Sequence, residues 1–268
     1  MPPAGPASLT IYAHRGARAH APENTLLAFA LAFDLGADAI ECDVQVTADG
    51  VLVIFHDDTL NRTTNGRGPV APRTLAELRA LDAGLGQRIP TLDEVLALCA
   101  ARGRAVNLEV KAATPEAALA TAVAMEPVLA ALDAARRAQT LVSSFELSAV
   151  AELKRRLPWL RVAMLYGGRE WRGRDLVTPT RALGAEAVHP GEELVTPALV
   201  ERAHQQGLRV NVWTANHWST FRRLLACGVD GVFTDYPERG VIVRVLGGAA
   251  FMGAVDGATD GDAAADAT

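Results

Sequence analysis

The sequence is poor in cysteine, and this scarcity excludes several kinds of site. Its three cysteines, Cys42, Cys99 and Cys227, are odd in number and lack Cys-x-x-Cys spacing. This pattern argues against a disulfide framework and against a thiolate zinc site. The net charge is −5 over 268 residues. With no basic excess, the sequence does not predict a nucleic-acid partner.

Lysine and long hydrophobic runs are also scarce. Lys111 and Lys154 are the only lysines, so a lysine inside a predicted strand stands out. The most apolar late segment, 241–255, is too short to span a membrane and contains Arg244. Because residues 1–8 lack the features of a signal peptide, we expect a cytoplasmic protein with no stable membrane anchor.

Predicted strands and helices alternate along most of the chain. Counting the parallel strands gives about eight, the number that closes a (β/α) barrel. We therefore predict an α/β fold, a TIM (β/α)8 barrel, over 9–255 as a single domain, with a small polar insertion at about 57–90 over its C-terminal mouth. We expect a flexible N-terminus at 1–8 and a disordered acidic tail at 256–268. An open doubly wound sheet is the alternative, although no Gly-x-Gly-x-x-Gly follows the first strand.

A β-hairpin is predicted directly after the second strand. Residues 47–50 have the composition of a tight turn and lie between two strand-like runs. If Val46 pairs with Val51, the antiparallel ladder places His56 opposite Glu41. A slip of one residue in this register would turn His56 to the other face.

Two carboxylates interrupt the second predicted strand, 39–46. Side chains alternate along a strand, so Glu41 and Asp43 point to one face, whereas Cys42 points to the other and is expected to be inert core. Buried carboxylates need a partner, which is either a protein cation or a metal ion. The alternative interpretation is a pair of satisfied salt bridges in the core.

Other polar residues also lie at the ends of predicted strands, and the catalytic groups of a barrel lie at the C-terminal ends of its strands. Glu109 and Lys111 share a face of the third strand, although alone they could be an internal ion pair. Three carboxylates suit Mg²⁺, Ca²⁺ or Mn²⁺ better than Zn²⁺. Arg15 and Lys111 could bind a phosphate, and His14 and His56 could act as general acid and base. This set suits cleavage of a phosphodiester.

The motifs, taken in order, resemble those of the glycerophosphodiester phosphodiesterase family, in particular its bacterial cytoplasmic type. They include His14-Arg15-Gly16, Pro22-Glu23-Asn24-Thr25, Glu41-x-Asp43, His56-Asp57, Leu108-Glu109-Val110-Lys111, Ser143-Ser144-Phe145, Val212-Trp213-Thr214 and Phe233-Thr234-Asp235. The resemblance implies a TIM barrel and metal-dependent hydrolysis of glycerophosphodiesters to sn-glycerol 3-phosphate and an alcohol.

The resemblance also implies a role for each matching residue. It implies His14 and His56 as acid and base, Glu41, Asp43 and Glu109 as ligands of one divalent cation, Arg15 and Lys111 on the phosphate, and Phe145 and Trp213 beside the glycerol. The two aromatic residues could equally be ordinary packing. Glu23 could cap the first helix or lie just outside the metal ligands.

Two rival functions remain open from the sequence. The first is an enzyme on the same barrel, a phospholipase of C or D type or a lysophospholipase D, although the polar insertion favours a water-soluble diester. The second is a non-catalytic barrel that binds a phosphorylated glycerol, which would not need the two histidines. The sequence leaves open the alcohol, the cation, the order of acid and base, the nucleophile, a cyclic phosphate intermediate and the oligomeric state.

Overall fold

The computed structural model describes residues 9–255, with side chains described as far as Leu246. The predicted flexible N-terminus and acidic tail lie outside the described residues. The strands are β1 Thr10–His14, β2 Ala39–Val46, β3 Leu52–Ile54, β4 Ala105–Val110, β5 Thr140–Ser144, β6 Arg161–Tyr166, β7 Ala187–Pro190, β8 Arg209–Val212 and β9 Gly231–Thr234. The α-helices are α1 Leu26–Asp34, α2 Leu75–Arg79, α3 Leu92–Arg102, α4 Pro115–Ala130, α5 Ala134–Gln139, α6 Leu147–Arg156, α7 Val177–Ala182, α8 Pro197–Gln205, α9 Trp218–Cys227 and α10 Pro237–Val255.

Eight parallel strands of the described chain form a closed ring. Their order is β1, β9, β8, β7, β6, β5, β4 and β2, and the pairing of β1 with β2 closes the barrel. β3 runs antiparallel to β2 outside this ring. The predicted TIM barrel with a hairpin after the second strand is confirmed, and the open-sheet alternative is wrong.

Threonine caps fix the starts of several helices of the barrel. Thr114 and Thr196 each precede a proline at the first position of α4 or α8, and each accepts a hydrogen bond from a backbone N–H three residues later. Thr25 caps α1 in the same way, by accepting from the Ala28 N–H. Glu23 is therefore not the cap of the first helix.

The main core lies between the barrel and its helices. It contains the side chains of β2 that point away from the barrel interior, including Ile40, Cys42 and Val44. Cys42 is fully buried there, and burial raises the pKa of its thiol. Its opposite face carries Glu41 and Asp43, as the alternation of strand residues predicted.

The predicted register of the hairpin is wrong by one residue. Val46 pairs with Leu52, not with Val51, because Thr47 and Val51 already close the ladder through the Thr47 N–H and the Val51 carbonyl, at 2.9 Å. The loop thus has three residues and ends on Gly50 at a φ of 81°, a left-handed conformation that glycine adopts without strain. β3 ends at Ile54, so no ladder pair determines the position of His56.

The insertion has a small apolar core of its own. Its buried side chains pack on two hairpin residues in a cluster separate from the main core, formed by Val53, Phe55, Leu60, Val70, Leu78, Ala83 and Ile89. The short helix α2 contributes Leu78 to it and begins with a capping box of Thr74 and Glu77. This apolar cluster anchors an otherwise polar segment beside the barrel.

Candidate active site

Three carboxylates converge where β2 and β4 run side by side. The register of this pair puts Asp43 beside Glu109, and Glu41 lies two residues earlier on the same face of β2. All three residues are buried, and one ligand oxygen from each lies within 4.8 Å of the others. The structure therefore brings together the three acids that the sequence predicted as metal ligands.

The cations around these acids leave one negative charge uncompensated. Lys111 Nζ lies 2.9 Å from Glu109 Oε1 and 3.8 Å from Asp43 Oδ1, and Arg15 Nε lies 3.4 Å from Asp43 Oδ2. Two cations thus face three carboxylates. The structure does not support the alternative of fully satisfied core salt bridges.

The environment of Glu41 favours the binding of a cation beside its carboxylate. Burial, together with the charges of Asp43 and Glu109, raises the pKa of its carboxyl well above the ordinary value. Its Oε2 accepts from the Arg15 N–H at 2.9 Å, whereas its buried Oε1 has no hydrogen-bond partner within the described residues. Because all three acids offer oxygen ligands, the cluster fits a hard dication.

Backbone conformation aims two further groups at the acids. Arg15 and Asn24 both have a φ of 56°, which is rare outside glycine. The conformation of Arg15 points its N–H at Glu41. Asn24 donates from Nδ2 to Asp43 Oδ2 at 2.8 Å, and its Oδ1 accepts from the Asp43 N–H at 3.4 Å. Sequence reasoning assigned no role to Asn24.

Each predicted acid–base histidine is held by a carboxylate. His14 Nδ1 lies 2.7 Å from Asp235 Oδ1, and His56 Nδ1 lies 2.6 Å from Asp57 Oδ1. Because an ionised carboxylate only accepts, each Nδ1 carries a proton, and neither Nε2 has a hydrogen-bond partner within the described residues. Burial lowers the pKa of His56 from its usual 6.5.

Glu23 forms the centre of an arginine network. It accepts from Arg15 at 2.9 Å, from Arg18 at 2.9 Å and from both terminal nitrogens of Arg62 at 2.7 and 2.8 Å. Although burial opposes the shift, Arg62 and Arg15 lower the pKa of Glu23 well below its usual range. Glu23 is not one of the three clustered acids. It contacts Arg15, which in turn contacts Asp43.

Arg62 links the insertion to this network. It also donates to both oxygens of Asp57 at 2.8 Å, and this hydrogen bonding lowers the pKa of Asp57 to about 2. Asp57 is thus kept ionised as the partner of His56. Sequence reasoning missed the roles of Arg62, Asp57 and Asp235, although all three stand inside motifs that carry the resemblance, Arg62 in Leu60-x-Arg62-Thr63-Thr64.

The predicted aromatic pair lines the same mouth as the histidines. Phe145 and Trp213 follow β5 and β8, and their rings meet edge to face with centroids 5.5 Å apart. The indole Nε1 of Trp213 donates to the His189 carbonyl at 2.9 Å, which fixes the ring. Phe145 is 43% exposed, and the Lys111 ammonium lies 5.8 Å from its ring centre.

One cavity of about 200 Å³ joins these parts. Its lining residues are His14, Arg15, Glu41, His56, Asn107, Glu109, Lys111, Phe145, Leu165, Trp213 and Phe233. Both histidines, two of the three acids and both cations thus face a space that could hold a phosphate with one small substituent.

The remaining histidines lie away from this cavity. His20, His204 and His217 are exposed. His189 is buried in the barrel, where its Nε2 lies 3.0 Å from Asn211 Nδ2 and burial lowers its pKa to about 3. In the described chain, no helix combines the length and the apolar character that crossing a bilayer requires.

Comparisons with known proteins agree with this geometry. Residues 14–239 match the Glycerophosphoryl diester phosphodiesterase family. A glycerophosphodiester phosphodiesterase of Caldanaerobacter subterraneus subsp. tengcongensis is 38% identical over 85% of this chain and 94% of that protein. Another from Bacillus altitudinis is 33% identical over 87% of this chain and 97% of that protein.

Solved structures show the same fold. A crystal structure described as a putative glycerophosphoryl diester phosphodiesterase from Silicibacter pomeroyi has a TM-score of 0.81 at 33% identity, covering 90% of this chain and 94% of its own. An Oleispira antarctica phosphodiesterase, in complex with the product sn-glycerol-3-phosphate, has a TM-score of 0.78 at 31% identity, covering 88% of this chain and 96% of its own.

Proposed function

Because this chain belongs to the glycerophosphoryl diester phosphodiesterase family, we propose that it hydrolyses glycerophosphodiesters to sn-glycerol 3-phosphate and an alcohol, using one divalent cation and two acid–base histidines. The family makes the chain a phosphodiesterase. Our proposal concerns the products, the cation and the role of each residue. One observation carries it: Glu41 and Glu109 of the acidic cluster and both histidines face the same small cavity.

Glu41, Asp43 and Glu109 would hold the cation. Their oxygen donors and the partnerless Oε1 of Glu41 suit Mg²⁺ or Ca²⁺, with Mn²⁺ also acceptable. When bound, such an ion supplies Lewis-acid stabilisation of the negative charge that develops on the phosphoryl oxygens. Arg15 and Lys111 place two further positive charges at the same cavity, where they bind the phosphate.

The two histidines move the protons. His56 acts as the base, because burial lowers its pKa and keeps its Nε2 unprotonated near neutral pH. Its Nε2 accepts the proton of the attacking hydroxyl as the new P–O bond forms. His14, in the form that carries protons on both ring nitrogens, gives its Nε2 proton to the alcohol oxygen as the old P–O bond breaks, and both histidines then return to their starting forms by proton exchange with solvent. The attacking hydroxyl is that of water or the 2-hydroxyl of the glycerol, which would form a cyclic phosphate.

A small polar diester suits this cavity better than an intact lipid. Pockets for drug-sized ligands measure about 300 to 1,000 Å³, so the cavity of about 200 Å³ has room for little more than the glycerol phosphate. Phe145 and Trp213 provide apolar surface for the carbon side of the glycerol. The two histidines argue against a barrel that only binds its ligand, because binding alone does not require them. Neither Nε2 has a hydrogen-bond partner within the described residues.

Turnover followed by ³¹P NMR tests the proposal. Purified protein with Mg²⁺ or Ca²⁺ is expected to convert glycerophosphodiesters to sn-glycerol 3-phosphate, to stop in excess chelator and to recover when the ion is restored. A transient resonance of a cyclic phosphate would identify the glycerol hydroxyl as the nucleophile.

Three other outcomes contradict it. Undiminished activity in excess chelator would exclude the cation. Faster cleavage of a lysophospholipid would favour the phospholipase. Tight calorimetric binding of a diester that is never cleaved would favour the non-catalytic barrel. Cytoplasmic residence and the domain limits stay predictions from the sequence.

A further inference from the structure

A second, larger cleft opens beside the catalytic cavity. It measures about 580 Å³ and lies between the loop after β1 and the insertion. The residues of its wall that matter here are Arg18, Glu23, Arg62, Thr63, Asn65 and Asp82. None of them lines the catalytic cavity.

Three wall residues connect this cleft to the histidine side of the catalytic cavity. Arg18 lies 3.4 Å from Asp235, the partner of His14. Glu23 binds Arg15 directly.

Arg62 completes this connection, because it binds Asp57, the partner of His56. The cleft therefore lies next to the part of the catalytic cavity that is formed by the residues after β1 and after the hairpin. Phe145 and Trp213 follow β5 and β8, and one strand separates β8 from β1 and β5 from β2.

The two spaces match the two arms of a phosphodiester. The catalytic cavity, at about 200 Å³, accommodates the phosphate and one small arm. With the glycerol against Phe145 and Trp213, an in-line displacement directs the leaving oxygen away from the attacking group. We propose that the cleft between the β1 loop and the insertion is the binding site for the alcohol arm of the substrate, and that it selects a neutral, hydroxyl-rich alcohol. This inference rests on the proposed function.

The charges of the cleft favour a neutral ligand. Arg18 and Arg62 are balanced in number by Glu23 and Asp82, so the wall attracts neither a cationic nor an anionic group by net charge. No aromatic residue is among the described residues that line it, so it lacks the rings that bind quaternary ammonium groups. A choline arm would find no aromatic cage and no net negative charge.

Two wall residues have hydrogen-bonding capacity to spare. Asn65 uses its Oδ1 to accept from the Asp82 N–H at 3.0 Å, and its Nδ2 has no partner within the described part of the chain. The hydroxyl of Thr63 is likewise without a partner there. These groups suit the hydroxyls of a polyol, and each hydrogen bond to a neutral group changes affinity by roughly 2- to 10-fold.

Steady-state kinetics with four diesters tests the inference. The glycerophosphodiesters of inositol, glycerol, choline and methanol share the glycerol phosphate and differ only in the alcohol. We expect KM to be lowest for the two polyol esters. The methyl ester cannot reach the cleft, so it reports on catalysis alone.

Thr63→Val removes the free hydroxyl and keeps the shape of the side chain. It is expected to raise KM for the polyol esters about fivefold and to leave the methyl ester unchanged. Thr59→Val is the matched control on the same segment, because Thr59 is exposed and does not line the cleft. It should leave all four esters unchanged.

Three results would overturn the inference while the proposed function stands. They are equal KM values for the methyl and polyol esters, a preference for the choline ester, and an equal rise in KM for all four esters in Thr63→Val. Failure to hydrolyse even the methyl ester would overturn the proposed function and the inference together.

Discussion

The mouth of the barrel has a charged half and an aromatic half, which come from different parts of the chain. The charged half contains both histidines, Glu41, Glu109, Arg15 and Lys111, which line the cavity, and Asp43 beside them, all between residues 14 and 111. The aromatic half comes from later strands and contains Phe145, Leu165, Trp213 and Phe233.

The two halves are held in different ways. In the charged half each side chain is fixed by a hydrogen bond or an ion pair, so losing one group leaves another buried charge without its partner. The aromatic half is held by packing and by one directional bond from the Trp213 indole. Substitutions should therefore reduce turnover in the charged half and mainly weaken binding in the aromatic half.

The largest expected effect comes from Glu41→Gln, which keeps the shape of the side chain and removes one negative charge. Loss of several kcal/mol of cation stabilisation predicts a fall in kcat/KM of about 10³-fold. Titration calorimetry with Ca²⁺ should show weakened binding. Since the glutamine has no charge to bury, the Tm of the metal-free protein should rise.

Glu186→Gln is the control for this variant, because Glu186 pairs with Arg161 at the opposite end of the barrel. It is expected to keep full activity and Ca²⁺ binding. Normal turnover by Glu41→Gln would mean that the acidic cluster has no part in catalysis.

The second prediction concerns the pH profile and sharpens the role of His56. Burial lowers the pKa of His56 from 6.5, so its base form persists as the pH falls below that value. The acid limb of kcat/KM is therefore expected below pH 6.5. Since the hydrogen bond to Asp57 raises the pKa of His56, Asp57→Asn should move this limb to still lower pH.

His56→Gln should remove the acid limb and lower kcat by roughly 10²-fold, the lower end of what general acid–base catalysis contributes. An unchanged limb in this variant would assign the base to another group.

Much of the charged half could be predicted from local sequence. The alternation of side chains along β2 was enough to place Glu41 and Asp43 on one face. Parallel pairing of β2 with β4 then brought Glu109 to them. The predicted place of His56 was correct for a different reason, because the assumed register was wrong and the chain leaves the ladder before reaching it.

Other contacts depend on closure of the barrel and could not be predicted. Asp235 is 221 residues away from His14 in sequence, and only the pairing of β1 with β9 brings them together. The left-handed backbone of Asn24 and the reach of Arg62 across the mouth also follow from tertiary packing. Local periodicity carries no signal for either contact.

The third prediction tests whether the carboxylate behind a histidine matters. Asp235→Asn removes the charge beside His14 Nδ1 and allows the wrong tautomer, so kcat should fall about 10- to 100-fold with little change in KM. His204→Gln is the control, since His204 makes a similar contact with Asp230 at 2.8 Å on the surface. Equal activity of Asp235→Asn and wild type would show that the position of His14 does not depend on this contact.

The smallest effect is expected in the aromatic half, at Gly167. A Cβ added there would lie 2.5 and 2.6 Å from two atoms of the outer ring of Trp213, which the bond to the His189 carbonyl holds in place. Gly167→Ala should therefore tilt the indole and raise KM about tenfold, with kcat nearly unchanged. Trp213→Phe lacks those two ring atoms, so adding Gly167→Ala to it should cost little more. If the alanine lowers kcat in both backgrounds, Gly167 does not act through the indole, and the contrast between the two halves of the mouth fails at this position.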